Sequence, residues 1–426
     1  FSLPRFGWPA GMPRDITPHE PPPEQEACWP GRRGETVYGV QTDNLNAFAK
    51  IVAWDLTTGK TTPLFTVPDT GAGGCALTRE GKLLSVDLYG TLRRHDLATG
   101  TLELTRTLGS EHEHRCNVIL PAGDDRVVGT PFISMNFWGY NTRQGKGFYG
   151  GRVAGSYGQC DYAVTVGGKV YFAIYSGGEL TENDPEAQTG FPRNPRVVAQ
   201  NGQGQHGAGI ATDGRVVWVA FKPKYGTLDG AMIRYDTVTG QASYKNGAIP
   251  GQTILDPMLD AGSGCLVAGT TFLSDCATAV PAHDRTVAVV LDPRTMDVVR
   301  STPGPEGVDA LVNIGPLDAD HWLMQDGKRL FVFDARETVL APYARRPEIP
   351  DGTAGIATAG VPGRFLVQIR MTLQIWDAIA DTFAPMATLA DDFVGRWWVH
   401  GADLTFDCGR WTVLWRDALR GEKPEQ

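Results

Sequence analysis

No apolar run in this chain of 426 residues reaches the ~18–20 residues that a membrane-spanning helix needs, so insertion into a bilayer is not expected. An excess of positive charge is missing as well. The formal net charge is −9, which argues against nonspecific binding to nucleic acid. Cysteine is sparse. There are seven, an odd number, so at least one stays unpaired in a monomer, and no CxxC pair with metal-ligand spacing occurs. The usual catalytic signatures are absent too: there is no GxSxG elbow, no P-loop and no HExxH. Gly71-Ala-Gly-Gly74 reads as a turn before a strand, not a phosphate loop before a helix. His112-Glu113-His114-Arg115 lacks the spacing of a zinc helix.

Turn-forming residues, by contrast, are plentiful: 52 Gly and 29 Pro with moderate charge fit an all-β chain. One phrase recurs. Asp55-Leu-Thr-Thr-Gly59 follows Ile51-Val-Ala-Trp54, Asp96-Leu-Ala-Thr-Gly100 follows Leu92-Arg-Arg-His95, and Asp236-Thr-Val-Thr-Gly240 follows Met232-Ile-Arg-Tyr235. Looser copies start at Asn141, Asp184, Asp292, Asp334 and Asp377, so that the eight copies stand 41, 45, 43, 52, 56, 42 and 43 residues apart. The Asp carboxylate is expected to accept hydrogen bonds from turn amides, and the Gly four residues on tolerates φ > 0. A second hairpin precedes each such turn, as in Tyr162–Phe172 and Ile210–Trp218. Four strands per repeat of this length predict a β-propeller of four-stranded blades, eight by repeat count, with seven as the alternative if the first unit stands outside the ring.

Complete units start near residues 74, 115, 159, 206, 254, 308 and 353. The first unit, from about Glu35, shows three strands only, and the C-terminal stretch Ala402–Trp415 is expected to supply its missing inner strand and close the ring. The expected organisation is a Pro-rich N-terminal arm over 1–33, the propeller over 34–416 and a polar tail over 417–426. The chain begins at Phe1 rather than Met, which reads as a trimmed start. Cys28 and Cys408 are placed to staple the ring or to remain buried thiols.

The short repetitive turns belong to one face. The irregular loops belong to the other: Thr130–Trp138, Tyr175–Leu180, Pro185–His206, Lys222–Asp229 and Thr271–Arg285, the last carrying Cys276. Varied loops on a rigid scaffold are where sites are built, so a site is expected there over blades 3 to 6. The inner strands start at the same face, and their first residues ring the channel mouth. His206 and Tyr157 are the candidate proton carriers, and His114 and Arg115 a cationic pair for an acidic ligand. Trp138, Tyr175, Lys222, Lys224, Tyr225, Gln159 and Asp161 are candidate substrate contacts, Phe137 another stacking ring. Cys160 and His206 fall at the same register and Cys116 is matched to them, while Cys75 stands about two residues out of step; this sulfur and imidazole set could hold a soft metal or simply pack. Asp161, Asp256 and Asp309 could hold a cation in the channel or cap strand ends.

The Trp/His/Tyr-Asp-x-x-Thr-Gly turn resembles the blade signature of WD40, YVTN and quinoprotein-type propellers over about residues 35–390. The Gly-His pair of WD40 blades and the tryptophan docking pattern of quinoprotein blades are both absent. With irregular loops and a His/Tyr/Arg cluster, the chain also resembles bacterial propeller lyases that act on polysaccharides and lactones. That resemblance implies that Arg115 and His114 neutralise a carboxylate while His206 or Tyr157 moves the α-proton. Three functions are carried forward: a lyase or related enzyme on an anionic, uronic-acid glycan, a noncatalytic propeller that binds a ligand or protein, and a metal- or cofactor-dependent oxidoreductase. The expected partner is a small molecule or glycan. No organic cofactor is expected, a channel-bound cation is allowed, and a secreted or periplasmic location is favoured.

Overall fold

The computed structural model describes residues 27–33, 35–42, 48–68, 75–78, 80–86, 91–107, 116–123, 125–132, 135–156, 158–388, 394–400, 403–408 and 411–420. They form eight four-stranded antiparallel sheets and one of three strands. The four-stranded sheets begin at Ala27, Cys75, Cys116, Gln159, Gly204, Thr253, Val312 and Thr353 and are called blades 1 to 8. These starts fall within a few residues of those expected, apart from blade 1. In every blade the strands pair in chain order, as successive hairpins do. Among the described residues no helix is long and apolar enough to cross a membrane.

The repeated turn works as its sequence suggests. Asp236 Oδ1 accepts the amides of Val238 and Thr239, both at 3.0 Å, and Gly240 takes φ +71°. Two of the degenerate copies keep the same geometry. Asp292 caps Arg294 and Thr295, Asp334 caps Arg336 and Glu337, and the fifth residue is left-handed although it is Met296 or Thr338, each at φ +61°. The carboxylate cap defines the turn, and glycine only relieves its strain.

The chain divides into two compact units, 1–110 and 111–426. In the first unit, blades 1 and 2 share a core of Ile51, Leu83 and Leu97 with Tyr38, Phe65 and Leu77 against it. The expected loan of a C-terminal strand to blade 1 is not made. Blade 1 takes its first strand from Ala27–Arg33, which pairs with Thr36–Thr42 and lies in the stretch read as an arm. The C-terminal strand Asp403–Cys408 instead lies between Val394–His400 and Trp411–Trp415 in its own sheet. The first strand contains Pro30-Gly31, a turn signal in the sequence, which the pairing absorbs as a bulge between Cys28 and Gly31. The side chains of Cys28 and Cys408 lie outside those described.

In the second unit each apolar cluster lies between consecutive sheets. Phe137 and Val128 of blade 3 meet Phe172 and Ile174 of blade 4. Trp218 and Met232 of blade 5 meet Ile254 and Val289 of blade 6. Blade 8 packs through Leu366 and Leu373 on Leu404 and Trp415 of the C-terminal sheet. That sheet also touches blade 3: Thr405 Oγ1 donates to the carbonyl of Ile119 at 2.9 Å, and Leu414 packs beside Cys116 and Val127. Apolar residues on both faces of a sheet therefore supply separate cores, one between each pair of neighbouring sheets.

Candidate functional site

The inner strands of blades 4, 5 and 6 carry the site, and each is bulged where it does so. The pairing register shifts between Cys160 and Tyr162, between Gly204 and Gly207, and between Leu255 and Met258. Asp161, His206 and Asp256 occupy these bulges. A bulge takes a residue out of the ladder and re-aims its side chain. Blades 7 and 8 are bulged too, at Ile314 and Ala354, so the bulge belongs to the blade and the residue type decides its use. Glycine makes the arrangement fit. A Cβ on Gly207 would stand 2.9 Å from Asp161, and one on Gly209 2.6 Å from Pro257. Asp256 itself sits at φ +42° before Pro257, a conformation that costs of order 1–3 kcal/mol.

The three residues line a cavity of about 830 Å³ together with Gln159, Tyr162, Lys222, Asp275 and Cys276. Its far wall is Val312 and Ala354–Ala357 of blades 7 and 8, which bring no titratable group. The polar wall belongs to the starts of inner strands and the loops after second strands, the face where the irregular loops are.

At its centre His206 Nδ1 lies 2.6 Å from Asp275 Oδ2, whose side chain is only 1 % exposed. Lys222 Nζ stands 3.8 Å from the other carboxylate oxygen. Burial works against ionisation of Asp275, but the hydrogen bond from His206 and the nearby positive charge outweigh it and hold the carboxyl below its ordinary range. A carboxylate at Nδ1 fixes the proton there and leaves Nε2 as the basic nitrogen. Tyr175 stacks on the imidazole with ring centroids 3.7 Å apart and 5° between planes. Its hydroxyl is 2.9 Å from that of Tyr225, whose own ionisation is pushed up by burial and by the neighbouring Tyr175 and Cys276.

Asp275 rides on the blade 6 loop. Ser274 and Ala279 bond reciprocally, and Thr278 Oγ1 donates to the Asp275 carbonyl at 2.8 Å and accepts the Gly226 amide at 3.0 Å, which ties this loop to that of blade 5. Cys276 and Ala277 are left-handed, at φ +51° and +55°. One ligand atom each from His206, Asp275 and Cys276 lie within 4.8 Å of one another, a mixed nitrogen, oxygen and sulfur set that suits zinc.

The two remaining carboxyls differ. Asp161 accepts the Gly207 amide at 2.7 Å and Gln159 Nε2 at 2.8 Å, so it clamps blade 4 to blade 5. Burial pushes Asp256 up to about 7, against the smaller opposing effect of the Tyr162 hydroxyl 3.2 Å from its Oδ1.

Of the residues singled out in the sequence, the structure gathers His206, Tyr175, Lys222, Tyr225, Gln159, Asp161 and Asp256 around this cavity. His114, Arg115 and Tyr157 lie outside the described residues. Trp138 is not in the cavity wall. Its ring covers Gly129, where a Cβ would stand 2.3 Å away, and it packs beside Ile119 and Leu414. Phe137 is core. Lys224 is exposed and serves the loop through its backbone, its amide bonded to Gln203 and its carbonyl to Thr227. Asp309 is exposed and offers its carbonyl to Thr271. Among the described residues, Cys116, Cys160 and His206 do not come together as the soft-metal set that their register allowed. Cys116 packs with Ile119 and Val127, the Cys160 thiol donates to the Tyr162 carbonyl, and the side chain of Cys75 is outside those described. Cys276 is the sulfur that stands near His206. Asp275 and Tyr162 were not foreseen, because neither sits in a motif or at a strand start.

No protein-family model and no curated protein matches the sequence. Solved structures do. The Pan2 WD40 domain of Neurospora crassa superposes with a TM-score of 0.50 at 12% identity, over 71% of this chain and 89% of that one. The WD40 β-propeller domain of Doa1 gives 0.50 at 11%, over 72% and 93%. Hydrazine synthase of Kuenenia stuttgartiensis gives 0.49 at 11%, over 72% and 97%. Blade spacing, strand order and the two WD40 likenesses together identify the fold as a β-propeller.

Proposed function

We propose that the blade 4–6 cavity is the active site of a lyase that eliminates across an anionic, uronic-acid sugar. The observation that supports it best is the buried Asp275 held 2.6 Å from the Nδ1 of a cavity-lining histidine. An imidazole oriented and charge-balanced in this way is suited to take a carbon-bound proton through Nε2. Lys222 is the cation that would meet the substrate carboxylate and make its α-proton more acidic, the part expected of His114 and Arg115 from the sequence. Tyr175 keeps the ring of His206 in place.

The test is ultraviolet absorbance of the conjugated product over a panel of uronate-containing glycans. Wild type should form an unsaturated sugar, His206→Ala should lose it, and Lys222→Gln should lower kcat at least as much as it raises KM, because the charge on the substrate carboxylate grows in the transition state. If no glycan in the panel yields unsaturated product while some bind, the propeller is a binding protein. A second reading rests on the His206, Asp275 and Cys276 set: a zinc centre in the same place. It would make His206 a ligand rather than a base. Isothermal titration with zinc separates the two, since the metal reading requires stoichiometric binding that Cys276→Ser weakens.

A further inference from the structure

We infer that Asp256 is the proton donor to the leaving oxygen in that elimination, a role that rests on the lyase reading of the same cavity. The cavity holds two kinds of carboxyl. Asp275 is paired with His206 and approached by Lys222, so its charge is matched. Asp256 is in the same wall, and the one hydrogen bond defined for its carboxyl comes from Tyr162, a neutral phenol. Burial pushes its ionisation up to about 7, and no cation counters it. The groups that share the cavity with it are Asp161, Tyr162, His206, Lys222, Asp275 and Cys276, while blades 7 and 8 present none that titrate. Two carboxyls driven in opposite directions in one site are how a single cavity offers both an acid and a base-supporting anion at the same pH.

The placement is also built into the backbone. Asp256 stands at a bulge in a left-handed conformation immediately before proline. Asn or Gly tolerates that conformation better than Asp, yet the side chain kept there is a carboxyl aimed from the wall of the cavity.

The chemistry balances without a further reagent. His206 Nε2 takes the proton from the carbon next to the substrate carboxylate. The electron pair of that C–H bond forms the C=C double bond as the C–O bond to the leaving sugar breaks. The leaving oxygen takes its proton from Asp256, which ends as carboxylate, and the proton on His206 returns through solvent to reset the pair.

The experiment compares Asp256→Asn with wild type on two substrates, a native uronate glycan and a uronide whose leaving group is a nitrophenolate that needs no proton. The variant should lose about 100-fold or more in kcat on the glycan and less than about threefold on the activated uronide, because a general acid matters only for a poor leaving group. Tyr162→Phe should move the alkaline limb of the glycan pH profile upward, since the phenol is what favours ionisation of Asp256. Equal losses on both substrates, or an unmoved limb, overturn the assignment. A wild type that makes no unsaturated product from any uronate glycan removes the lyase reading and this role with it. An active wild type whose Asp256→Asn variant keeps full rate on the glycan removes only the role.

Discussion

Replacing Asp256 by Asn should stabilise the protein, and only above mildly acidic pH. The carboxyl ionises at 3.8 in a free chain and near 7 in the fold. A raised value means that stability is fully present below the free-chain value and is lost as pH rises through the folded one. Below pH 4 wild type and variant both carry a neutral side chain, and Asn Oδ1 can still accept from Tyr162, so their stabilities should be close. Between pH 4 and 7 the unfolded wild type releases a proton that the folded protein keeps, and its stability falls relative to the variant. Above pH 7 the gap is constant. Three pKa units at 1.36 kcal/mol each set an upper bound of about 4 kcal/mol, and screening by water in an open cavity leaves about 2–4 kcal/mol. Urea melts of both proteins at pH 5 and pH 8 measure it. The gap between the two should widen by more than about 1 kcal/mol from the lower to the higher pH. Parallel behaviour at the two values would show that Asp256 is well solvated, and the reasoning that makes it an acid would fail.

Other perturbations follow from specific contacts. Asp275→Asn should cut kcat of the elimination by up to about 10⁴-fold, because the amide stabilises the wrong tautomer of His206, with far less effect on KM. Gly269→Ala should destabilise by about 1–3 kcal/mol in the same melts, since the new Cβ would stand 1.8 Å from the Leu311 carbonyl of blade 7. Thr338→Gly should stabilise by about 1 kcal/mol, because a β-branched residue there holds φ +61° at a turn whose sister copies use glycine.

Much of this was legible in the residues. The Asp-x-x-x-Gly turn is local physics, a carboxylate over two amides, so its period reports the blades even where Met296 or Thr338 has replaced glycine. The inner-strand starts were legible for the same reason, and with them His206, Gln159 and Asp161. Blade 1 was misread because its first strand contains Pro30-Gly31, which signals a turn in sequence and a bulge in the sheet. Trp138 was read as a stacking platform because its loop is irregular. Its ring is held by the space over Gly129, and that space is visible only when the two strands are paired.

The sequence by itself determined the repeat, the all-β class and the face that carries variation, because each depends on contacts a few residues long. The partners of His206 were decided by tertiary structure alone. Asp275 is 69 residues away, on the loop of the next blade, and nothing near it in the chain marks it. The same holds for Asp256, whose phenol partner is 94 residues away. A carboxyl's charge depends on what surrounds it in space, and here those neighbours come from other blades. The period that counts the blades therefore says where such residues stand, while packing between blades sets which of them are acids and which are anions.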